Sequence, residues 1–234
     1  MNPNDGKLTL VIGNRNYSSW SLRVWLWMRQ RGLVFDVVRV PLFEEQTDAL
    51  LQGYFSGNKV PVLQHGERVI WDSLAILEYL NETFPHTKGW PELADERAIA
   101  RSITAEMHSS FHALREALPM NCRRPVAPVE IGRDVQQDID RVHGIWQRCR
   151  EASQQQGPWL FGHQFTIADA FFAPVVMRFH TYAVPVDSLA FDYMEAMIWE
   201  PAMQEWLAAA AEETEIIEQD ECVTWLFCAR EDAY

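Results

Sequence analysis

Cysteine is scarce in this chain. Its four cysteines, Cys122, Cys149, Cys222 and Cys228, are scattered over 234 positions. None forms a Cys-x-x-Cys pair, which excludes a zinc ribbon and a dithiol redox motif and fits a reducing cytoplasm. Positive charge is also short. Lys and Arg number 20 against 33 Asp and Glu, a net charge of −13, with a pI near 4.9. Such a surface repels phosphate backbones, so nucleic acid is not an expected partner. No run approaches the ~18 apolar residues of a membrane span. The opening MNPNDGKLTLVIG lacks the basic region and long apolar stretch of a signal peptide. Internal repeats and low-complexity segments are missing too. The reading is a cytoplasmic protein with no membrane partner.

Apolar residues, by contrast, make up 48% of the chain and Trp occurs ten times. That is enough for one large or two small cores at about 150 residues per domain. Aromatics at this density signify core and interface mass more often than a ligand pocket.

The most informative stretch is GNKVPVLQHGERVIWDSLAILEYL, residues 57–80. Val62 to Gln64 is a short apolar run headed by Pro61. His65-Gly66 is a turn, and Arg68 to Trp71 reads as a second strand. Asp72-Ser73 opens an apolar helix with Leu74, Ile76, Leu77 and Leu80 at helical spacing. Proline cannot donate to a sheet ladder, so Pro61 belongs at a strand start, where nearby backbone is free to pair elsewhere. Asp72 and Ser73 stand where a helix wants capping oxygens and where its dipole is positive. A ligand carrying an amine and a carboxylate suits that corner: the amine meets Asp72, and the carboxylate meets the hydroxyl and amides at Ser73.

Taken in order, Leu8 to Ile12 reads as a first strand, followed by the polar loop GNRNYSSWS. A helix capped by Ser19 or a neighbour runs to about Arg31, with Trp20, Val24, Trp27 and Met28 on one face and Gly32 as its stop. Val34 to Val40 reads as a second strand and Glu44 to Tyr54 as a helix. The stretch FPHTKGWPE, residues 84–92, is read as a linker. Beyond it no convincing strand remains, and residues 92–118, 128–156, 166–182 and roughly 199–214 read as helical. The acidic run at residues 212–221 reads as a solvated face. The ending, residues 222–234, is apolar enough to pack against something the sequence does not name.

The combination KVPVL…WDSLAILEYL resembles the second half of the glutathione-binding domain of glutathione S-transferases, and the element order β-α-β-α-β-β-α agrees with it. The resemblance implies an α/β thioredoxin-like domain, residues 1–84, followed by an all-α domain, residues 92–234, that lines the electrophile site. It implies a cis Val60–Pro61 bond, with the Val60 backbone pairing with the cysteinyl part of glutathione. Asp72 and Ser73 then hold the γ-glutamyl end. Lys59 is placed to meet the glycyl carboxylate, with Gln46 a weaker candidate.

NYSSWSLRV, residues 16–24, resembles the SSxSxRV signature of the zeta class and related bacterial transferases, whose first serines lie at the glutathione sulfur. In register on Arg23-Val24, those positions are Ser18 and Ser19. A hydroxyl at a helix N-terminus favours a thiolate by hydrogen bonding and by the dipole. Ser19 is the first choice, Ser18 its rival, and Tyr17 a third candidate; the same serines also serve as plain helix caps. The family's cysteine in this motif is replaced by Trp20, which speaks against zeta-type isomerisation. The helix over residues 106–112 corresponds to the one lining the family's electrophile site. This implies substrate contact for Met107, Phe111, Arg115 and Ser110, though the apolar members equally suit core packing. His108 and His112 have the spacing of a metal pair but lack a third ligand, and no metal is expected. Thr166 and Asp169 form a capping box with a folding role.

The reading is a serine-type, zeta-like glutathione S-transferase that takes glutathione as cosubstrate, adds its thiolate to a small hydrophobic electrophile, and forms a homodimer. The alternatives are glutathione-dependent cis–trans isomerisation, as in maleylacetoacetate isomerase, and a non-catalytic binding module.

Overall fold

In a computed structural model, residues 6–54, 56–153 and 156–221 are described here. The expected tail at residues 222–234, with Cys222 and Cys228, lies outside them.

The chain first builds a four-stranded sheet. Strand β1 (Leu8–Ile12) is followed by helix α1 (Ser19–Gln30), β2 (Asp36–Arg39), a short α2 (Thr47–Leu51), β3 (Val62–His65), β4 (Arg68–Trp71) and α3 (Ser73–Thr83). The spatial order is β2-β1-β3-β4. β1 runs parallel to β2 and antiparallel to β3, and β3 is antiparallel to β4. This is the mixed sheet of a thioredoxin-like domain.

Alternate side chains of a strand point to opposite faces, and β1 shows it. Leu8, Leu10 and Ile12 join the main core with Leu22 and Leu26 of α1 and Ile76, Leu77 and Leu80 of α3. Val11 turns to the other face, where it packs with Val40, Leu51 and Val62. Every residue of α1 from Ser21 to Met28 is buried. A helix buried on every side needs cover all round. α1 obtains it from α3 and from two helices of the second half.

That second half is entirely helical among the described residues: α4 (Ala94–Ser109), α5 (His112–Ala117), α6 (Arg133–Ala152), α7 (Ile167–Thr181), α8 (Ser188–Ile198), α9 (Pro201–Ala211) and the single turn α10 (Glu218–Glu221). α7 is the axis, packed on α1, α4 and α8. Its capping box forms as expected. The Asp169 carboxylate accepts from the amides of Leu160 (2.9 Å) and Thr166 (2.7 Å) and from the Thr166 hydroxyl (2.8 Å). Burial pushes its carboxyl up to about 6 against the opposing pull of these bonds.

Several expected elements differ. The helix over residues 92–118 is broken, because Ser110 is extended and Phe111 is left-handed with φ 63°, which tucks Phe111 into the core. The Asp138 carboxylate then accepts the amide of Leu114 in the restarted turn at 3.0 Å. The helix expected over Glu44 to Tyr54 shrinks to α2 and one 3-10 turn, Gln52–Tyr54, and the second strand spans only Asp36–Arg39. α8 was not foreseen, although Asp187 caps it through the Ala190 amide and Ala190, Tyr193, Met194, Met197 and Ile198 face inward at helical spacing.

Candidate functional site

A cleft of about 1030 Å³ opens beside the N-termini of α1 and α3. Its lining draws on Tyr17, Ser18, Ser19 and Trp20, on Lys59, Val60 and Pro61, and on Asp72 and Ser73. Leu42, Phe43, Thr47 and Asp48 on one side and Ile217, Gln219 and Asp220 on another are among its further walls.

The two serines differ in what holds them. Ser18 is the N-cap of α1. Its buried hydroxyl donates to Ser21 Oγ at 2.7 Å, and that oxygen also accepts the Gly13 amide at 3.1 Å. Ser19 is the first residue of the helix and faces the cleft. Among the described residues its hydroxyl has no hydrogen-bond partner. The sequence places the cap at Ser19 or a neighbour, and the structure gives it to the neighbour, Ser18. Tyr17 is also occupied: its hydroxyl donates to Glu221 Oε1 at 2.6 Å and accepts from Arg123 at 3.2 Å. Burial, then the bond to Glu221, raises its pKa.

Across the cleft, the Val60–Pro61 bond is cis. Among the described residues the Val60 peptide groups carry no hydrogen bond. Lys59 is exposed, its amide bonded to Ser56 Oγ at 3.3 Å. Gln46 precedes α2 and does not line the cleft.

Asp72 has φ 73°, an unfavourable conformation for a residue with a Cβ. There its Oδ1 accepts the amides of Leu74 (2.9 Å) and Ala75 (3.3 Å), and its Oδ2 lies 3.3 Å from His108 Nε2. The Ser73 hydroxyl is buried without a partner. The corner thus presents one carboxylate and one unused hydroxyl beside a helix start.

Beneath this corner sits Trp20. The Arg23 guanidinium lies 4.2 Å from its ring centroid and that of Arg115 lies 5.1 Å away, while the His108 ring meets it edge-on at 5.3 Å. Arg23 is buried and its Nε and Nη1 have no partners. Burial lowers its pKa, and Arg115 and Arg178 lower it further.

The four residues expected at the electrophile site do not line this cleft. Met107 and Phe111 are core residues and do not line the cleft. Arg115 stands behind Trp20, its guanidinium donating to the Met107 and His108 carbonyls. Ser110 is likewise outside the lining. Trp20, which lines the cleft, packs against Arg115 and His108 on the side of this segment. His108 and His112 lie on different helices, α4 and α5.

The acidic run requires a correction as well. It is not simply a solvated face, because Glu213 is buried and its carboxylate accepts the amides of Arg15 (2.8 Å) and Asn16 (3.1 Å). Ile217, Gln219 and Asp220 wall the cleft. Sequence reasoning missed Glu213, Glu221, Asn121 and Arg123 because their partners lie about a hundred or more positions away. The one local signal was Ile216-Ile217 inside the charged run.

A mixed four-stranded sheet, a cis proline beside free peptide groups, and an Asp-Ser corner define a thioredoxin-like ligand-binding domain fused to a helical one. Comparison with known proteins gives the family. The model for the glutathione S-transferase N-terminal domain matches residues 17–83, and that for the C-terminal domain matches residues 99–209. A zeta-class glutathione S-transferase of Euphorbia esula is 31% identical over 181 residues, covering 74% of this chain and 76% of that one. A probable maleylacetoacetate isomerase of Vibrio cholerae is 29% identical over 177 residues, covering 72% of this chain and 80% of that one. A Burkholderia glutathione transferase homolog, solved with bound glutathione, superposes with TM-score 0.66 at 24% identity over 88% of this chain and all of that one. The chain belongs to the glutathione S-transferase family, with zeta-like relatives.

Proposed function

We propose that the cleft binds glutathione and that the enzyme adds its thiolate to a hydrophobic electrophile. The observation that carries this reading is the convergence on one cleft of the Val60 peptide, the Ser19 and Ser73 hydroxyls, which have no partner among the described residues, and the Asp72 carboxylate. The Val60 peptide suits an extended peptide ligand, Asp72 and Ser73 suit the amine and carboxylate at one end of it, and the Ser19 hydroxyl lies at the start of α1. Lys59 is assigned to the carboxylate at the other end.

In this reading Ser19 donates to the sulfur. Together with the α1 dipole it favours thiolate over thiol, raising the fraction of nucleophile at neutral pH. The thiolate then attacks the electrophile from the floor between Trp20 and the wall of Ile217, Gln219 and Asp220. Calorimetry with glutathione, followed by conjugation assays on a panel of aryl halides and unsaturated carbonyls, tests it. Absence of glutathione binding would overturn the assignment of the cleft.

A second reading is glutathione-dependent cis–trans isomerisation. The relative named as a probable maleylacetoacetate isomerase favours it; Trp20 in place of the motif's cysteine favours conjugation. We also propose a homodimer acting in the cytoplasm, supported by the family's habit and the high Trp content.

A further inference from the structure

We infer that Glu213 is a positioning residue for the loop that presents Ser18 and Ser19; the inference rests on the transferase reading above. The loop leaves β1 at Ile12 and enters α1 at Ser19. Its own domain holds only its ends: Asn14 Oδ1 accepts the Leu42 amide at 2.8 Å, and Ser21 Oγ accepts the Gly13 amide at 3.1 Å.

The middle of the loop is held entirely by the helical half. Glu213 Oε1 accepts the Arg15 amide at 2.8 Å, and Oε2 accepts the Asn16 amide at 3.1 Å. The Arg15 carbonyl accepts from Trp206 Nε1 at 3.0 Å, and the Asn16 carbonyl accepts the Cys122 amide at 3.2 Å. The Asn16 side chain donates to Asn121 Oδ1 at 3.0 Å and accepts the Arg123 amide at 2.8 Å. Every backbone polar group of Arg15 and Asn16 therefore ends on the second half of the chain.

Glu213 is the one charged acceptor in this set, and charge-assisted bonds are the stronger kind. It is itself held in place. The Arg123 guanidinium donates to the Glu213 carbonyl and, at 2.7 Å, to the Glu215 carbonyl. Arg39, from β2, pairs with Glu215 at 2.7 Å and reaches Glu213 at 3.8 Å. The Asn14 carbonyl accepts the Ser18 amide at 2.8 Å, and the Tyr17 carbonyl accepts the Ser19 amide at 2.9 Å. Any shift of the Arg15–Asn16 segment is thus passed to the two hydroxyls. Truncating Glu213 leaves the half-buried Arg15 amide and the buried Asn16 amide unpaired, and they will move to find water. Small displacements of a donor are costly to a rate.

The test is Glu213→Ala with Glu213→Gln alongside, each read by ultraviolet titration of bound glutathione and by steady-state kinetics. In Glu213→Ala the thiol pKa should rise by about one unit, and kcat at neutral pH should fall roughly tenfold, with KM for glutathione within about threefold. Glu213→Gln keeps one acceptor oxygen and should fall between. A simple loss of stability would lower the amount of active protein while leaving the thiol pKa unmoved. If wild type shows no thiolate, the transferase reading fails and the inference fails with it. If wild type shows one and a folded variant has the same pKa and kcat, only the positioning role is overturned. Should Glu213→Ala fail to fold, Glu213→Gln and the wild-type amide exchange of Arg15 and Asn16 decide: protection upholds the clamp, and rapid exchange overturns it.

Discussion

His108 Nε2 lies 3.3 Å from Asp72 Oδ2, so a helix of the second half braces the carboxylate that caps α3 in the first. Both oxygens of Asp72 are thereby fixed, Oδ1 on the amides of Leu74 and Ala75 and Oδ2 on the imidazole. His108 Nδ1 is buried without a partner. The neutral ring with its proton on Nε2 suits this arrangement.

Asp72→Asn keeps an oxygen for the helix cap and removes the charge offered to an amine. Asn caps helices about as well as Asp, so stability should hold. Glutathione affinity should drop by ~1.5–3 kcal/mol, about tenfold to a hundredfold. Isothermal calorimetry measures this directly; an unchanged affinity would move the amine away from Asp72.

The His108 ring lends stability a pH dependence. Burial lowers its pKa, Arg23 and Arg115 lower it further, and Asp72 opposes them. In the unfolded chain histidine gains its proton near pH ~6.5; in the folded chain it does so only at lower pH. The unfolded state therefore binds more protons in that window, and stability falls as pH drops below about 6.5. His108→Gln should lack this component. Denaturant titrations of both proteins between roughly pH 5 and 8 should show curves that converge in slope only at the alkaline end. Parallel curves throughout would refute the assignment.

Ser19→Ala should raise the pKa of bound glutathione by about one to two units, since a bond to a charged group contributes ~1.5–3 kcal/mol. Conjugation at neutral pH should slow about tenfold to a hundredfold and partly recover at high pH. Ser18→Ala breaks the cap and the tie to Ser21, so it should cost mainly stability, about 1 kcal/mol. If Ser18→Ala alone shifts the thiol titration, the donor is the other serine.

Asp169→Ala should destabilise the fold by about 2–4 kcal/mol, because it strands two buried amides and removes the cap of the central helix. Thermal melts report the loss. Glutathione affinity per folded molecule should stay the same, which calorimetry below the melting range would check.

The quaternary proposal is the simplest to examine. Light scattering at micromolar concentration should give twice the mass of one chain, 27.1 kDa. A monomer would contradict it.

Much of the fold was legible because its determinants are local. The Pro61 hairpin, the Asp72-Ser73 cap and the Thr166–Asp169 box each lie within a few residues and survive unchanged. Length was less legible. β2 and α2 are short because loops, not periodicity, end them. The break at Phe111 depends on a core that only the assembled helices create. At the cleft, the first-domain residues were readable from motifs. The wall of Ile217, Gln219 and Asp220 was not, because charge composition does not reveal that Glu213 meets amides nearly two hundred residues earlier.

The clamp on Arg15 and Asn16 also limits how this chain can be recombined. Its two halves look modular, yet the loop of the first is completed by Asn121, Cys122, Arg123, Trp206 and Glu213 of the second. A hybrid joining residues 1–84 to the helical half of a relative would keep the sheet, the cis proline and the Asp-Ser corner. It would lose the frame around the serines unless those five positions travelled with them. For a protein engineer, the transferable unit is the first half together with its distant frame.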